Sequence, residues 1–202
     1  MPYPALQQVV VRAVEEALAE AWRRVIEQIR AGGRLQALAE AHEDVVTQPL
    51  VDELERLLDR GWGAFRRETF CAVVKSEELW NHAGTSQHRP DIIVRFHAPP
   101  REVADRRYYA VFIECKIIDK PARKTIERYC TQGVSRFTDG DYAWKMRDAL
   151  MCAYVLDGSS QQQYLSSGLS QAAKGKIPVP SAGPPIPVTG TALALAELAS
   201  SQ

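Results

Sequence analysis

The run "YYAVFIECKIID", Tyr108 to Asp119, constrains the fold more than any other stretch of the chain. It is rich in β-branched and aromatic residues, so it reads as a strand. Apolar residues occupy both alternating sets of positions, so both faces of that strand are covered and it belongs inside a sheet. Ala110, Phe112, Glu114, Lys116 and Ile118 share one face, and Tyr109, Val111, Ile113, Cys115 and Ile117 share the other. Glu114 and Lys116 therefore stand side by side, about 7 Å apart along the strand. Burying either charge alone costs several kcal/mol or forces it to neutralise. Something must satisfy them.

Two further strands precede this one: "RETFCAVVK" (Arg67 to Lys75) and "PDIIVRFH" (Pro90 to His97). Pro90 stands at the start of its strand, where a missing N–H does little harm. "WNHAGTSQH" between them reads as a polar loop, with "GTSQH" close to Pro90 as a loop that could contact substrate or serve only as a connection. "APPREVADRR" connects the second strand to the third. Three strands with short joints predict an antiparallel meander. That pairing brings the Asp91 end of the second strand near the Glu114-to-Ile118 end of the third, so two carboxylates and an ammonium converge at one edge of the sheet.

Helical spacing precedes the strands. Leu6, Val9, Val10, Val14, Leu18, Trp22, Val25, Ile26 and Ile29 form a stripe that "AGGR" stops. A second helix is predicted in "EDVVTQPLVDELERLLDRG", with Thr47 as N-cap, Pro49 in the first turn and Gly61 at the end. After the third strand, Lys120-Pro121 opens a helix with Ile126, Tyr129, Cys130, Gly133, Val134 and Phe137 inward, and "TDGD" is a turn. "ALMCAYVLDG" reads as a buried strand, with a helix through Tyr142 to Tyr154 as the alternative. The expected class is α/β: a central mixed sheet of about four strands in the order α-β-β-β-α-β, with an extra N-terminal helix. One domain spans residues 1–158, with an N-terminal helix in 1–33 and the core in 43–156. Residues 159–202 are rich in Ser, Gln, Pro and Gly and read as a low-complexity tail with short helical stretches.

The formal net charge is zero, from 25 basic and 25 acidic side chains, which argues against a protein held on nucleic acid by bulk charge. The segment from Arg101 to Arg136 is locally basic, which fits a phosphate-facing patch or a solvated helix face equally. No apolar run is long enough for a transmembrane helix, and the acidic N-terminal stretch is unlike a signal peptide; a cytoplasmic protein is expected. Cys71, Cys115, Cys130 and Cys152 form no close pair, so they read as reduced thiols rather than zinc ligands. Trp62, Trp80, Trp144 and Tyr142 read as packing residues rather than base-stacking ones.

A carboxylate pair beside a lysine suits a hard cation. Mg²⁺ takes one or two protein carboxylates, keeps several waters and completes its shell with phosphate oxygens. Pro90-Asp91, followed by "ECK" at Glu114 to Lys116, resembles the PD-(D/E)XK nuclease superfamily, the restriction-endonuclease-like fold, over roughly residues 43 to 156. "QGVSRFTDGDYA" is similar to the corresponding region of small bacterial and phage-associated nuclease-like proteins. The resemblance implies an endonuclease dependent on Mg²⁺ (or Mn²⁺) that hydrolyses phosphodiester bonds, usually in DNA, in restriction, repair, recombination or phage defence. It implies Asp91 and Glu114 as metal ligands, with the carbonyl of Cys115 joining them, and Lys116 as the catalytic lysine. Glu43, opening the second helix, is the expected further acid, ahead of Asp44 and Glu53, and Gln132 and Arg136 are the expected contacts to substrate. One such site cuts one strand, so a homodimer through the long first helix is compatible with the mechanism. Two other readings stand beside this one: a nuclease-like module that binds nucleic acid or assembles proteins without catalysis, and an ordinary cross-strand ion pair with no metal.

Overall fold

The structure, a computed structural model, describes residues 3–32, 42–119 and 121–157. The low-complexity stretch 159–202 and the "GR" of the first helix stop lie outside the described residues. In chain order the elements are helices α1 (Gln8–Ala31) and α2 (Glu43–Arg60) and strands β1 (Phe70–Lys75), β2 (Leu79–Trp80), β3 (Gln87–His88) and β4 (Ile92–Phe96). A short 3₁₀ turn (Arg106–Tyr108) and strand β5 (Ala110–Ile118) follow. Then come α3 (Ile126–Tyr129), a π-helical turn (Cys130–Val134), α4 (Ser135–Thr138) and β6 (Leu150–Val155). The main sheet runs β1-β4-β5-β6, and β2 and β3 form a small hairpin of their own. The expected α/β order with four main strands is therefore present, with a hairpin where a plain loop was expected. Compact packing divides the described chain into two units: residues up to Glu114 with Gly140–Leu150, and Cys115–Asp139 with the residues from Met151 on.

In the first unit α1 lies against α2 and α2 against β1. The face α1 buries is Val11, Ala13, Val14, Ala17, Ala21, Val25 and Ile26. It is rotated from the expected stripe: Val9 is exposed, and Leu18, Trp22 and Ile29 are only half-buried. Three alanines four residues apart, Ala13, Ala17 and Ala21, belong to that buried face. From α2 the core receives Val46, Leu50, Val51, Leu54, Leu57 and Leu58. Glu53 is buried among them, ion-paired to Arg56 and accepting from Gln28 Nε2 of α1 at 2.5 Å. It is a clasp between the helices.

Helix α2 starts four residues before the expected N-cap. His42 is the N-cap residue, and Glu43 and Asp44 fill the first turn, where the helix dipole favours carboxylates. Thr47 is buried within the helix, its Oγ1 donating to the Glu43 carbonyl at 2.9 Å. Pro49 is therefore an interior proline that cannot serve the carbonyl of Val45. Val45 is itself exposed, so that carbonyl lies on the wet side of the helix. Gly61 ends the helix at φ +67, a left-handed conformation that favours glycine.

The expected meander forms. β1 and β4 pair antiparallel from Lys75 opposite Ile92 to Phe70 opposite Phe96, with an irregularity between Phe70 and Ala72. β4 and β5 pair antiparallel from Ile92 opposite Ile113 to Arg95 opposite Ala110. An aromatic chain closes the far end of the sheet: Phe65, Phe70, Phe96, Tyr109 and Tyr3, with successive ring centroids 5.0 to 6.1 Å apart.

In the second unit, the end of β5 lies beside β6, and the Leu156 amide donates to the Ile118 carbonyl at 2.9 Å. Ladder contact at the C-terminal ends of both strands fits a parallel pair, which makes the sheet mixed. Ile118, Tyr129 and Cys130 form the core here, with Ile126, Val134, Met151, Ala153 and Val155 against them. Pro121 does not open the helix as expected. Asp119 and Lys124 exchange backbone hydrogen bonds at 2.9 Å around a tight turn with Arg123 at φ +58, and helix starts only at Ile126. Burial pushes the Tyr129 phenol and the Cys130 thiol upward in pKa, so both stay protonated at neutral pH. The described cysteines are free thiols.

Replacing the interior proline of α2 is expected to stabilise the fold. Pro49→Ala restores an amide for the Val45 carbonyl, and a gain of about 1–3 kcal/mol should appear as a higher urea midpoint at unchanged m-value. An unchanged or lower midpoint would mean that the proline is relaxed in this helix.

Candidate active site

The β4–β5 register decides which residues meet. Ile92 opposes Ile113, Ile93 Phe112, Val94 Val111 and Arg95 Ala110. Asp91 directly precedes Ile92 and Glu114 directly follows Ile113, so the two carboxylates flank the last pair of this ladder. On the other side, the Ser76 amide donates to the Asp91 carbonyl at 3.2 Å, so Asp91 is held by β1's end as β4 begins. Asp91 is half-buried, whereas Glu114 is 5 % exposed.

Glu114 accepts a hydrogen bond from the Tyr142 hydroxyl, and Tyr142 is itself almost wholly buried. The segment carrying Tyr142 is fixed from several sides. The His82 amide donates to the Gly140 carbonyl at 3.0 Å, and His88 lies 3.5 Å from the Asp141 carboxylate. The Tyr3 amide donates to the Lys145 carbonyl at 2.7 Å, and the Leu6 amide to Asp148 Oδ2 at 2.9 Å. The β2–β3 hairpin and the N-terminal residues thus brace the piece of chain that orients Glu114. Tyr142 was expected only to pack. The sequence gives no periodic cue for it, because residues 139–149 form turns and bends with no strand or helix.

Glu43 opens α2, and that helix start is tied to the same end of the sheet. Lys75, the register partner of Ile92, donates its ammonium to the Asp44 carbonyl at 3.2 Å and lies 3.7 Å from the Asp44 carboxylate. Glu43 itself is half-buried. Of the two weaker acids, Asp44 is exposed and paired with Lys75, and Glu53 serves the α1–α2 contact.

In the second unit Cys115 is fully buried and accepts from the Tyr154 hydroxyl at its sulfur, 3.4 Å away. Lys116, next but one to Glu114 along β5, donates Nζ to the Cys115 carbonyl at 2.6 Å. Its stem lies against Gly133 of the π turn. A Cβ placed there would come 3.2 Å from Lys116 Cγ and 2.6 Å from Met151 Cε. Glycine is what allows that approach. Gln132 is exposed, with its carbonyl oxygen held by Arg128 Nε at 2.7 Å, and Arg136 is half-buried four residues on. The π turn adds a residue to the helical repeat at this point, so the two do not keep the alignment of a regular helix.

Among the described residues no three His, Cys, Asp or Glu side chains form a ready metal cage. The Asp91 and Glu114 side chains that flank the last β4–β5 pair offer hard carboxylate oxygens. That set suits Mg²⁺ or Mn²⁺ and does not suit zinc. No described helix is long and apolar enough to cross a membrane. Comparison with protein-family models, curated proteins and solved structures gives no match.

Tyr142→Phe should leave the buried Glu114 carboxylate short of a donor and destabilise the protein by about 1–3 kcal/mol in chemical denaturation. A loss below about 0.3 kcal/mol would mean that Glu114 does not depend on this hydroxyl.

Proposed function

We propose that this chain is a metal-dependent nuclease of the PD-(D/E)XK type, with Asp91, Glu114 and Lys116 as its catalytic group and DNA as its substrate. The observation that supports the reading is the β4–β5 ladder, whose last pair, Ile92 opposite Ile113, is flanked in sequence by Asp91 and Glu114. Support also comes from the element order and from the tie between the start of α2, where Glu43 stands, and the end of β1.

Asp91, Glu114 and the Cys115 carbonyl would hold Mg²⁺ or Mn²⁺. The ion supplies charge neutralisation at the scissile phosphate and a bound water more acidic than bulk water. The residues of the chain supply position and charge. Tyr142 fixes the Glu114 carboxylate so that one oxygen is oriented before substrate arrives. Lys116 brings a cation beside the developing negative charge on the phosphate and a donor for the attacking water. Its present contact with the Cys115 carbonyl keeps that ammonium next to one of the implied ligands. Gly133 sets the line of the lysine stem. Arg136 and Gln132 are the residues assigned to the phosphate backbone, and Glu43 is the further acid.

One observation favours the non-catalytic reading: Glu114 and Lys116 each have a partner within the protein, so their burial needs no ion. That reading predicts nucleic-acid binding indifferent to Mg²⁺ and to Glu114→Gln.

A panel of plasmid, linear duplex, branched and single-stranded DNA and RNA, incubated with Mg²⁺ or Mn²⁺ and with EDTA, separates the two. Cleavage is expected with metal and is expected to vanish in EDTA. Asp91→Asn and Lys116→Ala should each lower the rate about 10²- to 10⁴-fold at unchanged circular dichroism. Cleavage that survives either change would refute the assignment. Gly133→Ala should lower the rate about 10- to 100-fold, because it displaces the Lys116 stem. Activity equal to wild type would show that the stem's placement does not matter.

A further inference from the structure

Large exposed apolar side chains are few among the described residues: Val9, Val45 and Trp80. Trp80 alone of these is aromatic, and its surroundings are unlike those of an incidental surface residue. It is 44 % exposed, yet its backbone is held from two sides. The Trp80 amide donates to the Tyr108 hydroxyl at 3.2 Å. The Trp80 carbonyl accepts from Trp144 Nε1 at 3.2 Å and from the Tyr108 hydroxyl at 3.4 Å. The hairpin beneath it is equally fixed. The Asn81 side-chain oxygen accepts from the Thr85 amide at 2.9 Å, the Asn81 amide donates to the Ser86 carbonyl at 2.9 Å, and Gly84 turns the chain at φ +68.

Behind Trp80 lies an aromatic group with a cation in it. Trp144 packs edge-on against His82 at 4.8 Å and tilted against Tyr108 at 5.5 Å. Lys145 Nζ stands 4.8 Å from the Trp144 ring and 5.7 Å from the Tyr108 ring. The same hairpin leads through Arg89 and Pro90 into Asp91. Trp80 pairs with Gln87, four residues before Asp91, which is at most about 14 Å of chain.

We propose that Trp80 is a stacking platform for an unpaired nucleobase, so that the hairpin recognises a single-stranded segment next to the Asp91–Glu114 pair. An exposed indole on a braced backbone offers a π face, and every base has a face to stack on it. Bases inside a duplex have theirs already covered. Lys145 supplies positive charge for the adjoining phosphate. The choice of nucleic acid as ligand rests on the nuclease reading, but the stacking itself needs neither metal nor cleavage.

The test is fluorescence anisotropy in EDTA with labelled (dT)₂₀ and a labelled duplex of the same length, using wild type, Trp80→Ala and Trp80→Phe. Trp80→Ala should weaken (dT)₂₀ binding about 5- to 100-fold while leaving duplex affinity and the salt dependence of binding unchanged, and Trp80→Phe should retain most of the affinity. Circular dichroism of both variants should match wild type, since the removed ring is exposed. The proposal is overturned if Trp80→Ala binds (dT)₂₀ as wild type does, if duplex affinity falls equally, or if wild type binds neither probe. Because no metal is present, these outcomes are independent of whether Asp91→Asn abolishes cleavage.

Discussion

The candidate site depends on one pairing, the antiparallel register between β4 and β5. A slip of one residue would turn Glu114 to the opposite face and expose part of a strand that is apolar on both sides. The register is pinned on several counts at once. Ile92, Ile93, Val94, Phe112 and Ile113 are all fully buried, and β1 grips the other edge of β4 from Phe70 to Lys75. Two carboxylates can be set at the end of such a ladder because the hydrophobic pairs behind them leave the strands no alternative alignment.

The arrangement around that pair is a division of labour between regular and irregular chain. The strands fix where Asp91 and Glu114 stand, and a segment without regular structure, residues 140–148, fixes how Glu114 is turned. That segment gains its rigidity from elsewhere in the unit: the hairpin at Gly140 and Asp141, and residues Tyr3 and Leu6 at Lys145 and Asp148. Tyr3 and Leu6, which precede the first helix, are part of that bracing. Trp80 and Trp144 belong to the same brace, joined by the hydrogen bond from Trp144 Nε1 to the Trp80 carbonyl.

The sequence made the strands and their pairing sense legible, because side-chain alternation and short connections leave a meander few options. The errors have physical causes. Thr47 and Pro49 resemble a helix start, but α2 begins at Glu43 and tolerates the proline on a side where the orphaned carbonyl's residue is exposed. Pro121 served a turn closed by Asp119 and Lys124 instead of a helix. In α1 the alanines belong to the buried face, which a stripe of large apolar residues does not reveal. The two-residue strands of the hairpin are too short to show alternation. Tyr142 and Gly133 act through tertiary contact alone, with Glu114 in one case and with Lys116 and Met151 in the other, and local pattern carries no trace of that.

The central claim is that Asp91 and Glu114 jointly hold a divalent ion, and isothermal titration of Mn²⁺ into wild type, Asp91→Asn and Glu114→Gln tests it without reference to any substrate. Binding at one site per chain in wild type, lost in both variants while their circular dichroism is unchanged, is the predicted result. Equal Mn²⁺ binding in all three proteins, or none in wild type, would contradict the account.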